Sequence, residues 1–262
     1  MNAHTAGDWR AALTQDGSWT LLHPAHGEGC HSDAGAWTQA RERYAAVIAD
    51  LPEATKARGC VRLLDIGTGL GLNLAAALEA CEARGLKLDA TSLELDPTVL
   101  VAAFALFRRE PTCSDGHRRI LDALEARWEA QGPPPHAPAT AALESRGHRL
   151  NWILGDARRT LLELSEDRRF DVVFLDPFSP RVDPPLWDAD FLAEVARRMD
   201  PGARLSTYTV ALRVRVALAR AGLSVGQGPP VGRKAAGTLA SRGGELPPLD
   251  ERAGQRLARA LA

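Results

Sequence analysis

A chain of 262 residues, 45% hydrophobic and 25% charged, is long enough to bury a real core in one large domain or two small ones. Its 32 Lys and Arg against 33 Asp and Glu exclude a globally basic nucleic-acid coat and leave room for a local basic face. No apolar run reaches the roughly 18 residues of a membrane span, and the polar opening Met1 to Arg10 lacks the apolar centre of a secretory signal, so a soluble, cytoplasmic protein is expected.

Residues 17–23 alternate weakly after an Asp16-Gly17 turn signal and predict a short hairpin strand. Between 33 and 50, Trp37, Ala40, Tyr44, Val47 and Ile48 recur at helical intervals, and Pro52 follows the end. Residues 1–55 thus read as a cap on a larger domain. The run 61–65 predicts a strand entering a glycine turn, 72–83 a helix, 89–94 a second strand, and Pro97 with 99–108 a further helix. Such units predict a parallel sheet with right-handed crossovers.

Residues 109–147 interrupt the rhythm. Ile120, Leu121, Leu124 and Trp128 mark an amphipathic helix and Gly132 to Pro135 with Pro138 a loop, together an insertion. Strands resume at 149–154, 170–175 and 203–208, separated by helices at 160–164 and 190–198. A helix at 211–221 and a short strand near 223–225 follow. The expected fold is α/β, a doubly wound Rossmann-like domain over 56–241, with 242–262 as a loosely attached tail.

In Asp65-Ile66-Gly67-Thr68-Gly69-Leu70-Gly71, glycines let backbone amides at a helix start approach a ligand closely. A dinucleotide fingerprint is Gly-x-Gly-x-x-Gly; here the spacing is Gly-x-Gly-x-Gly, with Leu72 at the third dinucleotide position. Asp65 suits a positively charged ligand, such as the ammonium of a methionine moiety, better than a pyrophosphate. Glu94 ends the next expected strand, where a carboxylate accepts both ribose hydroxyls of a nucleoside. Asp156 and Ala157, after a later strand, set a carboxylate near an adenine amino group. Each feature has a plain alternative: a tight β–α connection for the glycines, and helix N-caps for Glu94 and Asp156. Together they outline a crevice for S-adenosylmethionine, with a nicotinamide coenzyme as the second choice.

The run Asp176-Pro177-Phe178-Ser179-Pro180 closes another strand at the sheet rim and resembles the Asp/Asn-Pro-Pro-aromatic loops of methyltransferases that modify amine nitrogens. An amine attacks only with its lone pair free and aimed, so its hydrogens need acceptors and water must be excluded. Asp176 supplies an acceptor, the proline-fixed backbone supplies carbonyls, and Phe178 packs against the reacting group. The plain alternative is an Asx turn stiffened by prolines.

Joined to Pro184 to Trp187, Thr207-Tyr208-Thr209 and Gly232-Arg233-Lys234, this run resembles the tRNA 5-methylaminomethyl-2-thiouridine methyltransferase family (MnmC-like methyltransferases). Asp16-Gly17-Ser18, His31-Ser32 and Gly35-Ala36 resemble that family's opening, and the similarity spans roughly residues 14–241. The resemblance implies a class I S-adenosylmethionine-dependent methyltransferase. Its cofactor site would hold Asp65, Gly67, Thr68, Gly69, Gly71, Glu94, Asp156 and Ala157, with Asp176 as the catalytic group facing an aminomethyl nitrogen. Phe178, Ser179, Trp187 and Tyr208 would bind the uridine. The implied reaction methylates the primary amine of 5-aminomethyl-2-thiouridine at the wobble position. The implied partners are tRNA and a separate flavin-dependent oxidase, this chain reading as the stand-alone form. Gln39 stands where the family pattern suggests Glu, and Ala235-Ala236 follow where a further basic residue is common.

Other signals are weaker. His23, His26, Cys30 and His31 suggest a metal cluster only superficially, because Pro24 and Gly27 make the segment a loop and amine methylation needs no metal. Cys30, Cys60, Cys81 and Cys113 form no Cys-x-x-Cys pair, which argues against a zinc ribbon or a disulfide scaffold. Arg213, Arg215, Arg220, Arg233 and Lys234 read either as a phosphate-contacting face or as the solvated side of a helix, and Arg118-Arg119 are equally ambiguous. Two other function classes share these features: an aminopropyltransferase making polyamines, and a non-catalytic nucleoside- or RNA-binding protein.

Overall fold

The structure, a computed structural model, describes residues 8–131, 139–141, 147–232 and 236–262. The chain opens with an antiparallel hairpin of β1 (Arg10–Leu13) and β2 (Trp19–Leu22), a small sheet of its own. The helix that follows is irregular: α1 (Ala36–Thr38) runs into a π-helical stretch, Gln39–Tyr44, and a 3-10 stretch, Ala45–Asp50. Its first free amides are met from the hairpin turn. Ser18 Oγ accepts from Ala36 N and Trp37 N at 3.0 Å each, and Asp16 Oδ2 from Thr38 N at 2.8 Å, which satisfies donors that a helix leaves orphaned.

The remaining elements are α2 (Glu53–Arg58), β3 (Cys60–Ile66), α3 (Leu72–Glu82), β4 (Lys87–Glu94), α4 (Pro97–Phe107), α5 (Asp115–Gln131), β5 (Ala139–Ala141), β6 (Arg149–Leu154) and α6 (Ala157–Glu163). After them come β7 (Phe170–Leu175), a 3-10 turn Pro184–Trp187, α7 (Ala189–Arg197), β8 (Met199–Thr207), α8 (Leu212–Arg220), β9 (Ser224–Gln227), β10 (Thr238–Ser241) and α9 (Glu251–Leu261). The main sheet has the order β5-β6-β4-β3-β7-β8-β10-β9. Its centre, β6 through β8, is parallel, while β5, β10 and β9 are antiparallel additions at the edges.

Successive strand side chains point to opposite faces, and both faces are covered. Val61, Leu63, Val172 and Phe174 pack with α3, α4, α5 and the irregular first helix. Leu64, Ile66, Val173 and Leu175 pack with α6, α7 and α8. The expected doubly wound α/β architecture is therefore present, with its turn of direction between β3 and β7, where such sheets open a ligand crevice at the carboxyl ends of their strands.

The expected amphipathic helix of the insertion is α5, with Ile120, Leu121 and Leu124 buried; the expected loop at 132–135 and 138 lies outside the described residues. Two features differ from expectation. Strand β10 folds back between β8 and β9, although its four residues carry no strand signal longer than a turn. The stretch 242–262 is not a loose tail: its helix α9 buries Leu257, and Arg220 Nη2 reaches Ala260 O at 3.2 Å. Among the described residues no helix is long and apolar enough to cross a membrane.

Candidate active site

The loops following β3, β4, β6, β7 and β8 meet the hairpin around a cavity of about 630 Å³, within the size range of small-molecule sites. Gly67, Gly69, Glu94, Asp156, Ala157, Asp176, Phe178 and Tyr208 all line it. Asp65, Thr68, Gly71, Ser179 and Trp187, also expected in the site, do not.

The glycine loop explains part of this division. Gly67 has φ +96°, and a Cβ there would stand 2.7 Å from the Asp176 carbonyl oxygen, so glycine is what lets the turns after β3 and β7 touch. Gly69, at φ +50°, has open space where its Cβ would be, and its amide donates to Glu94 Oε2 at 2.9 Å. Glu94 Oε1 accepts from the amides of Leu95 and Asp96. Burial raises the Glu94 carboxyl above its ordinary range.

Asp65 is still inside β3, on the same side of the strand as Leu63, and is fully buried under the loop. Its Oδ2 accepts from Ser92 Oγ, which also bonds Thr68 Oγ1, at 2.7 Å each. Asp65 thus braces the glycine turn from beneath and does not line the cavity. Burial pushes this carboxyl up to about 8. Gly71 faces away too, with its Cβ position 3.1 Å from Ile120 of α5.

Asp156 is a helix cap that also borders the cavity: it caps α6, accepting from Arg158 N at 3.0 Å. The hydrogen bonds of the Arg158 guanidinium hold its carboxyl below the usual range.

Asp176 sits on the cavity floor. Its Oδ1 accepts from the Tyr44 hydroxyl at 2.5 Å and its Oδ2 from Asn73 Nδ2 at 2.8 Å. Burial pushes the carboxyl up to about 7 against the pull of those donors and of the nearby Arg43 charge. The backbone after it is held from outside: Tyr208 Oη donates to Pro177 O at 3.0 Å, and Trp187 Nε1 to Phe178 O at 2.8 Å. Ser179 donates through N and Oγ to Glu28, in the segment after β2, at 2.7 Å each. Of the carbonyls this proline-fixed backbone offers, those of Pro177 and Phe178 each already accept one bond, and Ser179 and Trp187 hold the loop without lining the cavity.

Several residues of the site carry no motif of their own. Tyr44 carries a helical-period signal and is fully buried as expected, yet its hydroxyl faces the site. Asn73, on the buried first turn of α3, carries no motif beyond being polar among alanines and leucines. Trp9, His23 and Glu28 reach the cavity from the segments flanking the hairpin. His23 packs against Trp9, His26 and Phe178, and among the described residues no group of three or more His, Cys, Asp or Glu is placed to hold a metal.

The basic residues divide as well. Arg215 is buried, its Nε bonded to Thr238 Oγ1 at 2.9 Å, so it belongs to neither a phosphate face nor a solvated one. Arg119 pairs with both oxygens of Glu82. Arg213 and Arg220 are exposed on α8, and Arg233 and Lys234 lie outside the described residues.

A parallel sheet wound on both faces, a glycine turn at its centre, and carboxylates ending the neighbouring strands fit an adenosine-bearing cofactor. This is a class I S-adenosylmethionine-dependent methyltransferase. Residues 118–243 match a family described as S-adenosyl-L-methionine-dependent methyltransferase. The crystal structure of MnmC2 from Aquifex aeolicus matches 95% of this chain and 75% of its own, with 32% identity and a TM-score of 0.75. The chain belongs to the family of MnmC methyltransferases. Two curated relatives, each named tRNA 5-methylaminomethyl-2-thiouridine biosynthesis bifunctional protein MnmC, are 34% identical to it. That of Azoarcus sp. (strain BH72) aligns over 85% of this chain and 34% of its own length. That of Delftia acidovorans aligns over 79% and 31%. The chain thus spans about a third of the length of these relatives and corresponds to their methyltransferase part.

Proposed function

We propose that the protein methylates the primary amine of 5-aminomethyl-2-thiouridine at the wobble position of cytoplasmic tRNA, giving 5-methylaminomethyl-2-thiouridine and S-adenosylhomocysteine. The observation that carries this reading is Asp176, a carboxyl held by Tyr44 and Asn73 on the floor of the cofactor cavity and balanced near neutral pH. S-adenosylmethionine supplies an electrophilic methyl group.

The chain's own residues do the rest. Glu94 accepts the ribose hydroxyls, Asp156 and Ala157 border the adenine, and Gly67 and Gly69 let the backbone close on the methionine tail. Asp65, Thr68 and Gly71 hold that turn in place. Ionised Asp176 is the catalytic group: it accepts the amine's hydrogen bond, turns the nitrogen lone pair toward the methyl and takes the proton the amine sheds. Phe178 and Tyr208 contact the uridine, while Ser179 and Trp187 fix the loop that carries Phe178. Exposed Arg213 and Arg220 give a local basic face for tRNA phosphates. A flavin-dependent oxidase acts upstream to prepare the amine.

Nucleoside mass spectrometry of tRNA incubated with protein and S-adenosylmethionine tests the proposal. Conversion of 5-aminomethyl-2-thiouridine to its methylamino form is expected, and its persistence refutes the substrate. A polyamine product formed without RNA points to aminopropyl transfer instead.

A further inference from the structure

Part of the cavity wall comes from the cap. The Trp9 indole lies 6.3 Å from the Phe178 ring at 25° to it, and His23 stands edge-on to both at 5.1 and 5.0 Å. The hairpin segment is tied to both rims of the crevice. Trp9 Nε1 donates to Thr98 Oγ1 of α4 at 2.9 Å, and Glu28 accepts from Ser179 beyond β7. His23 Nδ1 accepts from Ala25 N at 3.1 Å, which puts the ring proton on Nε2, and burial with the neighbouring His26 favours the neutral ring. Three uncharged rings therefore face a cavity whose other walls carry Glu94, Asp156 and Asp176.

An aliphatic amine needs no such wall. A planar base does, because an aromatic face binds it with few torsions to freeze. A base joined to its reacting nitrogen by one methylene must also place its ring beside that nitrogen, and Phe178 is two residues along the chain from Asp176.

We infer that Trp9 and His23, with Phe178, form the binding wall for the pyrimidine ring whose amine Asp176 receives, so that the cap selects the base while the Rossmann core serves the cofactor. This rests on the amine-methylation reading above. The test measures binding of an anticodon stem-loop carrying 5-aminomethyl-2-thiouridine in the presence of S-adenosylhomocysteine, with methyl transfer and cofactor affinity followed in parallel. Trp9→Ala is expected to weaken stem-loop binding about tenfold or more, and His23→Ala, which leaves the Trp9–Thr98 bond intact, several-fold. Trp9→Phe restores most of the binding, and cofactor affinity is unchanged throughout. Stem-loop binding that is wild-type in both alanine variants, or lost only together with cofactor affinity, overturns the inference and leaves the methylation reading standing. A wild-type protein that binds cofactor but neither binds nor methylates the stem-loop overturns both.

Discussion

The hydroxyl of Tyr44 donates to Oδ1 of Asp176 at 2.5 Å, across 132 residues of sequence. That bond stabilises the ionised carboxylate, and burial opposes it, leaving the group near 7. The methylation rate should therefore rise with pH through about 7 as Asp176 ionises. Removing the donor in Tyr44→Phe raises the carboxyl further, so the acid limb moves to higher pH, by about one unit if the bond contributes the usual energy of a hydrogen bond to a charge. Rate profiles of the two enzymes check this; a limb at the same pH in both assigns it to another group.

Asp176→Asn keeps the side-chain shape and loses the ionisable acceptor. A fall in kcat of roughly 10²- to 10⁴-fold is expected, the range for losing a general base, with cofactor affinity within a few-fold of wild type by calorimetry. Near-normal turnover would remove Asp176 from the chemistry.

Gly67 and Gly69 separate two effects of glycine. Gly67→Ala adds a methyl 2.7 Å from the Asp176 carbonyl and imposes φ +96°, whereas Gly69→Ala imposes φ +50° with no neighbour within 4 Å. Gly69→Ala should cost about 1 kcal/mol of stability, Gly67→Ala distinctly more, with the β3 and β7 turns pushed apart and cofactor binding weakened. Thermal melts and cofactor titrations of the pair decide it.

Asp65 makes a prediction about stability rather than rate. Its folded carboxyl is raised to about 8 from an ordinary value of 3.8, so between those values the native state holds a proton that the unfolded chain has released. Stability contributed by this group is full below about 4 and is lost as pH rises toward 8. Asp65→Asn cannot ionise, and its Tm should fall less than that of wild type over the same pH range.

Arg215 tests the division of the basic residues. With its guanidinium buried against Thr238, Arg215→Ala should lower Tm while leaving the salt dependence of tRNA binding unchanged. Arg213→Ala and Arg220→Ala should reduce that slope by about one phosphate contact each.

Much of the fold is legible along the chain because its signals are local. Alternating apolar runs, the glycine turn after 61–65 and the prolines after 170–175 each fix an element without help from distant residues, and Glu94, Asp156 and Asp176 each sit at or just beyond a readable strand end. Strand β10 and helix α9 were less legible because four residues, or a helix with one buried leucine, gain their stability from what they dock against.

The doubly wound architecture, the cofactor class and the Asp176 loop are readable from the chain alone, since strand ends and turns are written in contiguous residues. Folding in three dimensions sets the rest: Asp65 braces the glycine turn from within the sheet, Tyr44 and Asn73 hold Asp176, and Trp9, His23 and Glu28 line the cavity. Those outcomes depend on which face a side chain takes and on contacts between segments a hundred or more residues apart, and periodicity in one segment carries no record of the other.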